Sequence, residues 1–163
     1  MEWMLLPFRR YFDFSGRSRR MEFWMFQLLN MIVTIVLMLI TFSGMPWSEF
    51  SERASVTIAP EPTPAEAFAM FGPMFWVGMG LAVLWGLAIF IPSIAVTVRR
   101  LHDRDMSGWW YGGLLIAGLI PIVNIIAMIG WLVLLVILFL PGTDGPNRYG
   151  PDPKDPSQAS VFS

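Results

Sequence analysis

The sequence predicts an all-α integral membrane protein, and three observations carry that prediction. Apolar residues make up 55% of the 163 residues and charged ones only 14%. The mean hydropathy is +0.58. The apolar residues fall into three uncharged runs, at 23–48, 67–98 and 106–143. A soluble domain of this size cannot hide so much apolar surface, since ordinary domains carry about 25% charged residues. Four transmembrane helices are favoured, the last two forming a short hairpin, with three as the alternative. Residues 1–153 read as a single membrane domain.

The first span is 23–42. About 20 apolar residues cover a hydrocarbon core of about 30 Å at 1.5 Å per residue. Gln27 and Asn30 are its strongly polar members, near its first end. The run exceeds the ~7–15 residues of a signal-peptide core and has no small-x-small cleavage site close behind it, so a retained helix is expected. The second span is 73–96, opened by Pro73 in a first turn where a missing N–H costs nothing. Pro92 frees the carbonyl of Ala88 and predicts a kink, with Ser93 and Thr97 available to satisfy backbone groups. The third run is too long for one crossing and is broken at Pro121 and Asn124. It reads as two short helices, 107–120 and 125–140, turning near Pro121–Asn124. One kinked span is the alternative.

Charge sets an orientation. Residues 1–22 hold Arg9, Arg10, Arg17, Arg19 and Arg20, and 99–108 holds Arg99, Arg100 and Arg104, whereas the loop 43–70 holds Arg53 alone. The positive-inside rule places the first two segments in the cytoplasm and 43–70 outside. The outer loop includes Ala59–Ala67, acidic and Pro-rich, which reads as an extended polyproline spacer rather than a helix. The last residues, 154–163, read as a disordered tail.

The composition excludes several kinds of chemistry. With no Cys there is no disulfide framework and no thiolate nucleophile or metal ligand. One His removes most zinc and Ser-His arrangements. A net charge of −1 disfavours nucleic-acid binding by bulk charge. No cofactor or metal is expected.

Three polar signatures adjoin the spans. In Phe14–Trp24, Gly16 suits a turn with positive φ, Ser18 suits an N-cap, and Arg19 can pair with Glu22 three residues on. The plain reading is the basic flank of a membrane helix, and the functional one is a site for anionic headgroups, at about 1 kcal/mol per surface cation. In Arg99–Trp110, Arg99 can reach Asp103, and Arg100 can reach Asp103 or Arg104, if the segment is helical. Asp103 and Asp105 beside His102 suggest a metal–phosphate site only weakly, and a salt-bridged loop end is the better reading. His102 reads as a hydrogen-bonded structural residue, and Trp109 and Trp110 as part of an interfacial belt. Ser107-Gly108 reads as a turn or cap into the next helix. In Pro141–Pro153, Gly142, Gly145, Gly150 and Asn147 specify turns, without the spacing of a phosphate-cradling loop.

In this order the three signatures resemble the bacterial inner-membrane family known as domain of unknown function 805. The resemblance rests on Phe14, Gly16, Arg17, Arg20, Glu22, Phe23 and Trp24, then on Arg99, Arg100, Leu101, His102, Asp103, Ser107, Gly108, Trp109 and Trp110. It continues through Pro141, Gly142, Gly145, Asn147, Tyr149, Gly150, Asp152 and Pro153, covering residues 3–153. It implies a membrane class without naming a reaction. Arg104, Asp105 and Met106 fall in its variable positions, which gives the metal idea no support. The outer loop is longer than the family's pattern.

Polar motifs at three separated places suggest one shared cytoplasmic-face site: Arg17, Arg20, Glu22, Arg99, Arg100, His102, Asp103, Asn147, Tyr149 and Asp152. A tail that meets the other two motifs lies on their side of the membrane, which requires an even number of crossings. The leading expectation is a non-enzymatic scaffold, regulator or lipid- or partner-binding protein of the bacterial inner membrane. Its expected partners are membrane lipids, including anionic headgroups, with a homo-oligomer or membrane partner also open. The second expectation is a transporter or channel component acting as an oligomer. The third is an enzyme acting on lipid phosphates, with Arg17 and Arg100 clamping phosphate and His102 and Asp103 beside them.

Overall fold

The computed structural model describes residues 2–55 and 61–155, and every described element is a helix. The order is α1 (Glu2–Arg9), α2 (Arg20–Ser43), α3 (Trp47–Ser55), α4 (Pro64–Met70), α5 (Pro73–His102), α6 (Trp109–Gly118) and α7 (Pro121–Phe139). Three of these, α2, α5 and α7, are long and apolar enough to cross a membrane. Their outward faces are apolar, with residues such as Leu39, Leu87 and Ile122 well exposed. That is the pattern of helices whose solvent is lipid.

The helices outrun the expected spans. α5 continues through His102 rather than stopping near 96, because nothing after Pro92 breaks it. Thr97 Oγ1 donates to Ser93 O at 2.7 Å, one turn back on the same helix. α5 ends where Asp105 takes a left-handed φ of 57°. Met106 N–H then reaches Leu101 O at 3.0 Å and Asp105 N–H reaches His102 O at 3.0 Å. This is the Schellman closure, with Asp in the place usually given to Gly.

The break in the last apolar run lies at Leu119–Ile120, one step before the expected Pro121–Asn124. Pro121 opens α7, where its lack of an N–H is harmless, and Asn124 N–H already bonds Ile120 O at 2.8 Å. α6 spans 10 residues, so it is about 15 Å long. It folds back on α7: Tyr111 meets Trp131 edge-on at 5.4 Å, and a Cβ on Gly130 would collide with Leu114.

The chain divides into two compact units, one of residues 1–29 and 89–163, the other of 30–88. In the first, Phe23, Phe26, Val96, Leu101, Leu134 and Leu138 form the apolar core. Trp24 stacks on Phe139 at 4.0 Å beside it.

In the second unit, Gly78 lies so close to Thr41 that any side chain there would strike its backbone. The expected polyproline spacer is corrected here. Residues 64–70 form α4, because Thr63 and Glu66 make a capping box: Glu66 N–H donates to Thr63 Oγ1 at 3.4 Å and Thr63 N–H to Glu66 Oε2 at 2.8 Å. Pro64 at the first helical position favours the helix instead of forbidding it. The rest of the spacer before residue 61, and the tail beyond 155, lie outside the described residues.

Candidate functional site

The three polar signatures meet within the first unit. The α5 helix supplies Arg99 and Arg100 from its last turn, and Asp103 follows directly on its end, three residues after Arg100. Gly16, at a φ of +74°, turns the chain so that Arg17 and Ser18 run beside that turn. Ser18 N–H donates to Arg99 O at 3.1 Å. The tail returns through Gly142 and Thr143, and Thr143 N–H donates to Asp103 O at 2.8 Å.

Asp103 is the centre. Arg17 Nε donates to its Oδ1 at 3.0 Å and Arg17 Nη2 approaches the same oxygen at 2.9 Å. Arg100 Nη1 donates to its Oδ2. The side chains of Arg17, Arg100 and Asp103 are 1%, 0% and 2% exposed. Beside them Arg99 Nη2 donates to Glu22 Oε1 at 2.9 Å, in an ion pair equally hidden from solvent.

Three buried cations therefore face two buried anions. The uncompensated charge is spread over backbone carbonyls: Arg17 donates to Thr143 O and Gly145 O, both at 2.6 Å. Arg100 donates to Leu138 O and Leu140 O, and Arg99 to Asp13 O and Arg10 O. Burying a charge is tolerable only when it is paired and its remaining donors are met. Arginine's forked donors suit this role, since one side chain can hold a carboxylate and carbonyls together.

Around this knot lies a second layer. Asn147 Nδ2 donates to His102 O at 2.9 Å and to Thr143 Oγ1 at 3.1 Å. The Tyr149 ring stacks on His102 at 3.8 Å, nearly parallel. His102 Nδ1 lies 3.1 Å from Gly16 O, and because a carbonyl only accepts, the proton sits on Nδ1. Asp152 accepts from Lys154 N–H and Gly145 N–H, and these bonds hold its carboxyl below the usual range against a small opposing effect of burial. At the edge, burial alone would raise the Asp13 carboxyl. Hydrogen bonds from Ser15 and Arg10 outweigh it and hold it at about 2.

Nine of the ten expected residues join this assembly, Asp152 through the tail's turn. Arg20 does not: it opens α2 and is exposed. Several expected pairings change. Glu22 takes Arg99, while Arg19 donates to Pro153 O and lies over the Trp3 ring at 5.6 Å. The Arg19–Glu22 pairing is thus overruled by a partner that is itself buried and needs a counter-charge. Arg99 correspondingly goes to Glu22, not Asp103. Ser18 does not cap α2, since its buried hydroxyl has no partner.

Asp105 serves Arg148, whose Nε lies 3.2 Å from its carboxylate at the surface. Among the described residues no group of three or more His, Asp or Glu gathers that could hold a metal ion. The sequence reading missed Gly142 and Thr143 as knot residues. Gly142 was legible as a turn former, but any Cβ there would run into the Asp103 carboxylate.

Long apolar helices closed at one end by a buried arginine–carboxylate knot define a multi-pass membrane protein. The sequence places it more narrowly. Residues 11–151 match the family described as protein of unknown function (DUF805), and the chain belongs to that family. It is 36% identical to inner membrane protein YhaH of Escherichia coli K12 over 155 residues, covering 94% of this chain and 98% of that protein. It is also 36% identical to inner membrane protein YhaI of the same organism over 157 residues, covering 94% and 97%. No solved structure matches the chain significantly. Helices and relatives together make this a multi-pass inner-membrane protein.

Proposed function

We propose that the protein is a non-enzymatic membrane scaffold. Its polar knot fastens the N-terminal segment, the end of α5 and the C-terminal tail into one platform at the cytoplasmic surface. The observation that carries this is Asp103, whose two oxygens are each held by a buried guanidinium. A carboxylate so engaged and so buried is not presented to a substrate, and the three arginines point inward rather than at a phosphate.

The orientation rests on eight arginines in 1–22 and 99–108 against Arg53 alone in 43–70. The tail's return to Asp103 favours four membrane passes, in which the short α6 enters and α7 leaves. Exposed cations such as Arg9 and Arg20 supply the attraction to anionic headgroups, at about 1 kcal/mol each.

Thermal melts in detergent test the fastening. Asp103→Asn is expected to lower stability by about 3–5 kcal/mol, the cost of leaving buried guanidinium charge unpaired. Arg20→Gln should melt like the parent. If Asp103→Asn melts normally and loses bound lipid instead, the knot is a ligand site and the scaffold reading is wrong. The chain has no Cys, so single-cysteine labelling tests orientation directly. Ser51→Cys should react with an impermeant thiol reagent in spheroplasts and Ser15→Cys should not. The reverse pattern overturns the cytoplasmic placement.

A further inference from the structure

Beside the knot, in the first unit, lies a groove of about 520 Å³. Its construction follows from two helix stripes. On α5, Ile94, Val98 and His102 recur every four residues and form one wall. Facing them, Gly108, Gly112 and Leu115 lie along the start of α6. A Cβ on Gly108 would strike Val98, so the two segments touch there. A Cβ on Gly112 would meet only the Trp109 ring of its own helix, at 3.4 Å. The groove is the space that opens beyond Gly108 because Gly112 has no side chain to fill it.

The groove is graded in polarity along its length. One end is the His102–Tyr149 stack, with the Arg148 guanidinium 4.9 Å from the centre of the Tyr149 ring. From His102 to Ile94 the wall runs two helical turns, about 12 Å, and becomes wholly apolar. Trp109, 77% exposed, lines the groove, and Trp110, 62% exposed, follows it at the start of α6. Exposed Trp pairs at the end of a span mark headgroup depth. Arg148 does not itself line the groove, but it lies over the Tyr149 ring that closes the polar end, and a cation beside an apolar trough leading into the membrane is complementary to an anion carrying a hydrocarbon tail.

We infer that this groove is a binding site for one anionic glycerophospholipid, with an acyl chain between α5 and α6 and its phosphate at the Tyr149–Arg148 end. A volume of this size is typical of ligand sites that are mostly apolar with a few polar groups. Arg148 already pairs with Asp105 at the surface and is more than half exposed, so it can turn to a phosphate without leaving a buried charge behind. The inference goes beyond the fastening role. It depends on the knot only because the tail that carries Tyr149 is held there.

The full chain in detergent, incubated with equal phosphatidylglycerol and phosphatidylethanolamine, provides the test by native mass spectrometry. The parent should retain one phosphatidylglycerol at collision energies that strip other lipids. Leu115→Trp and Gly112→Leu, which fill the groove, should reduce that retention about tenfold while melting like the parent. Arg148→Gln should keep a lipid but lose the preference for phosphatidylglycerol. Excess inorganic phosphate should not displace it. Equal retention by the parent and Leu115→Trp overturns the inference. So does a groove-filling variant that separates a dimer while leaving lipid retention unchanged. The fastening role is tested separately: it fails if Asp103→Asn melts like the parent, a result that leaves lipid retention in the parent and in these groove variants untouched.

Discussion

The connecting region 43–72 and the knot are held together by interactions of different reach. At Ser43, Trp47, Ser55 and Thr63, side-chain hydrogen bonds join residues three to five positions apart. Around them aromatic rings pack on near neighbours, with Phe71 on Phe75 at 4.2 Å and Phe68 on Trp76 at 5.0 Å. In the knot, Arg99 reaches Glu22 across 77 residues, Arg17 reaches Asp103 across 86, and Arg17 reaches Gly145 across 128. The side-chain hydrogen bonds of the described connecting residues are thus local, the longer ties are an uncharged Gly72 N–H to Gly44 O bond at 2.9 Å and a Phe50–Phe71 ring contact at 6.4 Å, and these residues stay largely exposed. The knot has one local pair, Arg100–Asp103, but that pair does not suffice: every charge also depends on a distant segment, and all are buried together. Charge removed from water forces long-range order, while caps and ring stacks do not.

The largest break in that contrast is Glu22→Gln. It keeps the shape of the side chain and removes the counter-charge of Arg99, which is buried at 0% exposure. A loss of about 3 kcal/mol or more is expected, read as a fall in the melting temperature of the whole protein. The smaller break is Thr63→Ala, which removes the hydroxyl half of a capping box on an exposed helix and leaves the backbone N–H of residue 63 bonded to Glu66. It should cost about 1 kcal/mol of α4 stability. That loss should appear as faster amide exchange at 65–68, with no change in the global melt. Equal global effects of the two substitutions would erase the distinction between the regions.

The same contrast explains what could be read without coordinates. The spans were legible because about 20 uncharged residues leave few other choices. Gly16 and Gly145 were legible because turn glycines with positive φ belong to local sequence, and both have it. Arg100 and Asp103, three apart across the end of α5, were legible for the same reason. The α4 helix is hidden in the sequence because the alternating prolines suggest an extended chain, while the Thr63–Glu66 pair that starts the helix is the stronger local signal. A single Pro at a first helical position obeys the helix rather than breaking it.

The partner of Glu22 was not legible from spacing. Arg19 is near in sequence, but Arg99 is the cation that burial leaves in need, and burial is a property of the folded chain. Nor did the sequence reveal that Gly142 must lack a Cβ. That requirement comes from Asp103, a residue 39 positions earlier in the chain.

The acceptors of Arg17 have a consequence for synthesis. Its guanidinium is completed by carbonyls of Thr143 and Gly145, the first of them 126 residues downstream. At about 5–20 residues per second, a ribosome delivers Thr143 roughly 6–25 s after Arg17. Throughout that interval Arg17 is a charge without its final neighbours and must stay in water or among headgroups. Asp103 arrives earlier but waits a further stretch for the tail that closes over it. The knot therefore acts as a clock on insertion: α2 and α5 can enter the bilayer as they emerge, yet the ends that carry the knot cannot dry out until the tail's turn at Thr143–Gly145 has been made. A ribosome that stops before residue 143 leaves Arg17 without both of these carbonyls, an unfinished charged surface on an otherwise inserted protein.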